Sequence, residues 1–167
     1  MGVAGAPRAP TLKNGGRIVA PVLRFRNFEQ DDLFEALRLA NRTLSESYEG
    51  GLFLHLADLY PDGFIVCEEG DKLVGMVVGV VERAYEARIL ILAVDETYRK
   101  AGIGTKLVRL FMERFAKNGV RRLNLEVRVS NSAAIRLYEQ LGFDKRKVLP
   151  SYYADGEDAY QMSRTIG

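Results

Sequence analysis

Cysteine and histidine are almost absent from this chain of 167 residues, which has one of each, Cys67 and His55. A single cysteine rules out an internal disulfide, which fits a reducing, cytoplasmic setting. So few soft ligands also argue against a zinc site of the common kind, and no metal is expected. Charge of one sign is lacking too. The formal net charge is +2, and the basic residues are spread along the chain without a block. That is too little to argue for a specific nucleic-acid partner. No apolar stretch is long enough to span a membrane, and there is no internal repeat.

The composition otherwise fits one globular domain, with 47% hydrophobic and 28% charged residues. The first 21 residues differ from the rest. They hold three of the five prolines and four of the sixteen glycines. They lack the apolar core of a signal peptide. Gly2 suggests a myristoylation motif, but Ala6 stands where Ser or Thr is required. Residues 1–21 read as a tail and 22–167 as the domain.

Within the domain, strand and helix patterns alternate. Residues 22–28 read as a strand. Residues 31–44 read as a helix with Leu33, Leu37, Ala40 and Leu44 on one face. A short helix over 52–60 ends at Pro61, and 64–82 holds two strands around a Gly-Asp turn. The continuous apolar run of 88–95 predicts a strand buried on both faces. A helix runs from Gly102 to about Lys117, with Ile103, Leu107, Phe111 and Phe115 inward, and Asn118-Gly119 stop it. A strand over 122–129, a capped helix over 130–141 and two strands near 143–148 and 158–165 complete the order. Strands joined by helices imply an α/β fold, a mixed sheet covered on both faces.

The most informative stretch is "YRKAGIGTKL", residues 98–107. It sets two positive charges at the mouth of a helix, where positive charge is disfavoured. It is not a dinucleotide fingerprint, because Leu107 stands where the third glycine belongs. It is not a P-loop either. What remains is strand, loop, G-x-G, helix. Free amides at a helix start bind phosphate, and Gly102 and Gly104 let backbone approach closely. Arg99 and Lys100 then become countercharges to a pyrophosphate.

Arg99-Lys100-Ala101-Gly102-Ile103-Gly104 matches R-x-x-G-x-G and resembles the acetyl-CoA motif of the GNAT N-acetyltransferase superfamily. "SNSAAIRLYEQLGF" (130–143) and "YYADGEDAYQM" (152–162) are similar to two further motifs of that superfamily. The last resembles the branch holding the catalytic subunit of N-terminal acetyltransferase A, with the ribosomal-protein alanine acetyltransferases as close relatives. The resemblance spans residues 23–166. It implies the acyl-CoA N-acyltransferase fold, a three-layer αβα arrangement with a mixed, mostly antiparallel central sheet. It also implies acetyl-CoA as co-substrate and protein or peptide N-termini as substrate, with an auxiliary subunit or the ribosome as conceivable partners.

The same resemblance assigns roles to residues. Leu92, Ala93 and Val94 lie on the strand whose backbone pairs with the pantetheine arm. Arg99, Lys100, Ala101, Gly102, Ile103, Gly104 and Thr105 take the pyrophosphate, and Asn131 contacts the cofactor beyond it. Tyr138 meets the sulfur. Glu46, in "LSESY", borders the peptide site, and Tyr48, Tyr152 and Tyr153 hold the peptide. Ser45 stands where the branch usually has proline. Glu126, in "NLEVRV", matches a position that helps deprotonate the amine through water. Residue 88 matches a position that holds His or Tyr in relatives; here it is Arg88, which cannot act as a base. Three readings of Arg88 stay open: a partner of Glu126, a contact to an acidic first residue of the substrate, or an exposed strand end.

The chemistry supports these residue types. A nucleophilic amine must be neutral. At pH 7 roughly a tenth of α-amines are neutral, but fewer than about one lysine in a thousand. A carboxylate acting through water then suffices for an N-terminus. The leaving thiolate, of parent pKa about 8.5, can take a proton or hydrogen bond from a phenol such as Tyr138. Rival readings are a lysine or small-amine acetyltransferase on the same fold, or a non-catalytic acetyl-CoA-binding subunit. Cys67, mid-strand, reads as a small buried hydrophobe, and His55 as a helix-surface or packed residue. Asp155, Glu157 and Asp158 hint at a cation site, but a hairpin turn around Ala154-Asp155-Gly156 explains them better.

Overall fold

The computed structural model describes residues 12–14 and 17–167. Of the expected tail, residues 1–11 and 15–16 lie outside the described residues. Two short strands, β1 (Leu12–Asn14) and β2 (Arg17–Val19), pair with each other and belong to no larger sheet.

The remaining strands form one seven-stranded sheet. In chain order they are β3 (Leu23–Asn27), β4 (Phe64–Glu69), β5 (Lys72–Arg83), β6 (Glu86–Val94), β7 (Arg122–Arg128), β8 (Asp144–Leu149) and β9 (Ala159–Thr165). In space the order is β3-β4-β5-β6-β7-β9-β8. Only the β6–β7 pair is parallel. That single parallel step needs a crossover, and the chain supplies α3 (Ile103–Lys117). On one face lie α1 (Leu33–Thr43) and α2 (Gly50–Leu59), packed through Ala36, Leu39, Phe53 and Leu56 onto Phe64, Val66, Met76 and Val78. On the other face lie α3 and α4 (Ser132–Gln140), whose Leu107, Phe111, Phe115, Ile135 and Tyr138 share a core with Val77, Leu123 and Leu125. This is the expected αβα arrangement.

The inward residues of α3 are those its 3.6-residue period predicts. It presses closely on β5: a side chain at Gly79 would lie 2.3 Å from the Phe111 ring, so only glycine fits there.

One burial expectation is corrected. The strands buried on both faces are β4, from Phe64 to Cys67, and β5, from Leu73 to Gly79. β6 instead alternates, and Leu90 is 42% exposed. The registers give the reason. Val78 pairs with Ile91 but Gly79 with Ile89, so Leu90 is an extra residue, a bulge. The parity of β6 flips there. Ile91 and Ala93 join the α1–α2 core, while Ile89 and Ala87 join the α3 core. On its other side β6 pairs with β7 only from Glu86 to Arg88, against Arg122 to Asn124. Beyond that point the two strands part, and the apolar run of β6 borders a gap.

Candidate active site

The gap between β6 and β7 opens into a cleft of about 300 Å³. Its lining includes Leu90 and Leu92 of β6, Glu126 and Arg128 of β7, Tyr138 of α4, and two loops, 43–48 and 152–153. Parity decides which side chains enter from β7. Leu123, Leu125 and Val127 point to the α3 core, so Asn124, Glu126 and Arg128 point to the other face. Tyr138 comes from the α3–α4 layer. The parting of the strands therefore brings groups from opposite faces of the sheet to one cleft.

Next to the cleft, the segment that leads into α3 offers backbone rather than side chains. The loop after β6 has two left-handed residues, Lys100 (φ +60°) and Gly102 (φ +82°). Gly102 is the N-cap of α3 and offers no side-chain acceptor, and the first helical bond runs from the Lys106 amide to the Gly102 carbonyl. The amides of Gly102, Ile103, Gly104 and Thr105 thus lack helical partners, which suits an anion. Arg99 is half-exposed, 3.9 Å from Glu96, and its Nε donates to the Val94 carbonyl at 3.4 Å. Gly104 has a packing reason to be glycine: a Cβ there would meet Leu137 of α4 at 3.0 Å. Asn131 caps α4 by accepting from the Ala134 amide at 3.2 Å, and it also lines the cleft. Leu92 lines the cleft as well, while Ala93 faces the α1–α2 core and Val94 packs against the α3 core.

Side chains build the opposite mouth. Arg128 donates to Glu46 at 2.7 Å, to Asp155 at 2.8 Å and to Glu157 at 2.8 Å, and its guanidinium lies 4.0 Å from the centroid of Tyr153. One residue of β7 thus ties the loop after α1 to the loop between β8 and β9. Those bonds push its pKa further up, Glu157 and Glu46 most. Asp155 and Glu157 are held below the usual carboxylate range, by the Glu157 amide and by Ser130 first, then by Arg128. These acids serve Arg128 rather than a cation. The expected hairpin is a nine-residue loop, 150–158, with its tight turn at Tyr153–Gly156. Tyr152 and Tyr153 meet edge to face at 5.0 Å. Tyr48 packs on Phe53 at 5.8 Å.

Glu126 is the most enclosed carboxylate of the cleft, its side chain 6% exposed. Arg88 donates to both of its oxygens, through Nε at 2.8 Å and through Nη2. Tyr138 is 6% exposed, and burial raises its pKa well above that of a free phenol. It stays protonated at neutral pH and can donate. Cys67 is buried on β4, and burial pushes its thiol up to about 12. His55 is exposed on α2. Neither reaches the cleft.

A family model described as "Acetyltransferase (GNAT) family" matches residues 30–143. The chain belongs to the GNAT acetyltransferase family. It is 36% identical over 155 residues to an N-alpha-acetyltransferase of Sulfurisphaera tokodaii, covering 86% of this chain and 93% of that one. Among solved structures it is similar to Ard1 from Thermoplasma volcanium, with 36% identity, a TM-score of 0.83 and coverage of 87% and 98%. It is also similar to the ribosomal-protein-S18-alanine N-acetyltransferase from Escherichia coli, with 30% identity, a TM-score of 0.76 and coverage of 87% and 95%. No helix among the described residues is long and apolar enough to cross a membrane.

Sequence reasoning did not single out Arg128, which lines the cleft, or Glu82, which lies 3.0 Å from Arg88. For Arg128 a signal existed: it stands two residues after Glu126 in an alternating strand, so it shares that face. For Glu82, at the far end of β5, none did.

Proposed function

We propose that this chain transfers the acetyl group of acetyl-CoA to the α-amino group of protein N-termini, by direct attack of the amine. The observation that carries this reading is the cleft itself. It holds an enclosed carboxylate beside two tyrosine-bearing loops, and the helix start with unpaired amides lies next to it, where a Cβ on Gly104 would come 3.9 Å from Leu92 of the cleft wall. The curated and solved relatives point the same way.

In this reading the amides of residues 102–105, with Arg99 and Lys100, bind the pyrophosphate. Asn131 and the strand at Leu92–Val94 line the cofactor's path. The co-substrate supplies a thioester. Glu126, with Glu46 nearby, accepts the amine's proton directly or through water. The amine's lone pair forms the C–N bond as the C–S bond breaks, the thiolate leaves with the sulfur electrons, and Tyr138 donates a hydrogen bond to it. Tyr48, Tyr152 and Tyr153 hold the first peptide bonds. A cleft bordered by two loops suits an extended chain end. An auxiliary subunit or the ribosome would bring nascent N-termini to that mouth, and a cytoplasmic setting fits such substrates.

The test is a panel of peptides with free and blocked N-termini, incubated with acetyl-CoA and read by mass spectrometry. One acetyl group on residue one of the free peptides is expected. Preferential modification of an internal lysine or of spermidine would favour the small-amine alternative.

A further inference from the structure

Arg88 occupies a decisive place for the chemistry. It is the last residue of β6 still paired with β7, opposite Asn124, just below the bulge at Leu90 and the parting of the strands. From there its side chain engages both oxygens of Glu126. Its remaining nitrogen, Nη1, sits 3.0 Å from Glu82, at the end of β5. Glu126 on one side and Glu82 on the other fix the guanidinium plane, and the guanidinium fixes the Glu126 carboxylate. Without a partner, a carboxylate so enclosed would be an uncompensated charge, which is strongly destabilising. A carboxylate offers about four lone-pair positions, and a bidentate arginine uses two. The other two stay free to accept from an amine or a water.

We propose that Arg88 is a positioning residue: it aims Glu126 at the incoming amine and compensates its charge, while remaining protonated throughout. This rests on Glu126 being the base in the reading above. The amine's proton passes to Glu126, and Arg88 neither gains nor loses one. An arginine that positions the base should act on turnover rather than on binding. One that contacted an acidic substrate residue would act on KM, and an idle strand end would act on neither.

The experiment compares wild type, Arg88→Gln, Glu126→Gln and the double variant, using the full chain, acetyl-CoA and the best peptide of the panel. Steady-state kcat and KM, acetyl-CoA affinity by calorimetry and thermal melts are recorded. For Arg88→Gln we expect kcat at least about tenfold lower, and at most the roughly 10²-fold that a displacement of about 1 Å can cost. Peptide KM and acetyl-CoA affinity should stay within about twofold. The double variant should be no slower than Glu126→Gln alone, because Arg88 acts through Glu126. A folded Arg88→Gln with wild-type kcat, or with its loss confined to KM, overturns the proposal. Where Arg88→Gln fails to fold, Arg88→Lys decides, since lysine keeps the charge but not the bidentate fork: a wild-type kcat overturns the proposal, and a lowered kcat with unchanged KM supports it. Full activity in Glu126→Gln would instead refute the assignment of the base, a separate result.

Discussion

The proposed cofactor end and the proposed peptide end of the site are made by different means. At the first, one contiguous loop, Arg99–Thr105, presents backbone amides at the start of α3. At the second, β7, the loop after α1 and the β8–β9 loop contribute side chains that meet on one guanidinium, that of Arg128. Backbone amides survive side-chain replacement. A network around one cation does not, because removing the cation leaves several carboxylates close together without compensation. Single substitutions should therefore be mild at the first end and severe at the second.

The largest expected effect needs no mutation. A free peptide α-amine should react a few hundred-fold faster than an internal lysine at pH 7, from the fraction of neutral amine alone. Competition within one peptide carrying both groups measures it, and comparable rates would break the claim that the peptide end selects N-termini.

Next comes Glu126→Gln, which should lower kcat/KM by about 10²-fold, at the low end of general-base catalysis. A much smaller loss would show that Glu46 shares the work and would shift weight from β7 to the loop after α1. Arg128→Met should raise peptide KM by about tenfold, the scale of three partly exposed ion pairs worth up to about 1 kcal/mol each, since it releases both loops at once. Acetyl-CoA affinity should not change. If calorimetry shows both affinities falling together, the two ends are not separable and the comparison fails.

At the other end, Arg99→Ala should weaken acetyl-CoA binding by no more than about fivefold, the ordinary scale for a half-exposed charge contact. A loss of 10²-fold would mean that the side chain, not the amides, carries the pyrophosphate.

The smallest effect is of pH. Asp155 and Glu157 have lowered pKa values, so the stability they lend to the clamp is present above their ordinary values of 3.8 and 4.5. It is lost only as pH falls through the lower folded-state values. Peptide KM should thus show no contribution from this clamp between about pH 6 and 8. A KM that rises as pH drops from 8 to 6 in a peptide free of titrating side chains, after allowance for its α-amine, would assign the clamp to other groups.

The cofactor end was legible in the sequence because everything it needs is local. A strand, a loop with two left-handed positions and a helix start lie within about a dozen consecutive residues, and G-x-G marks them. The inward stripe of α3 was legible for the same reason. Gly104 was legible as a required glycine, but its packing partner Leu137 was not, since that contact joins two helices 33 positions apart. The burial of β6 was misjudged because a continuous apolar run looks the same whether a strand is covered on both faces or stands beside a gap.

The sequence by itself determined the order of elements from β3 onward, the helix start with its free amides, and the residue types the chemistry asks for, because these follow from local periodicity and backbone freedom. Only the tertiary structure decided that Leu90 bulges, that β6 and β7 part after Arg88 and Asn124, and that Glu126 and Tyr138 thereby reach one cleft from opposite faces. Only it settled Arg88 as the partner of Glu126 and Arg128 as the tie between two loops. The physical reason is that strand pairing and charge pairing act between residues distant in the chain, and no local pattern records which of several possible partners the fold brings within reach.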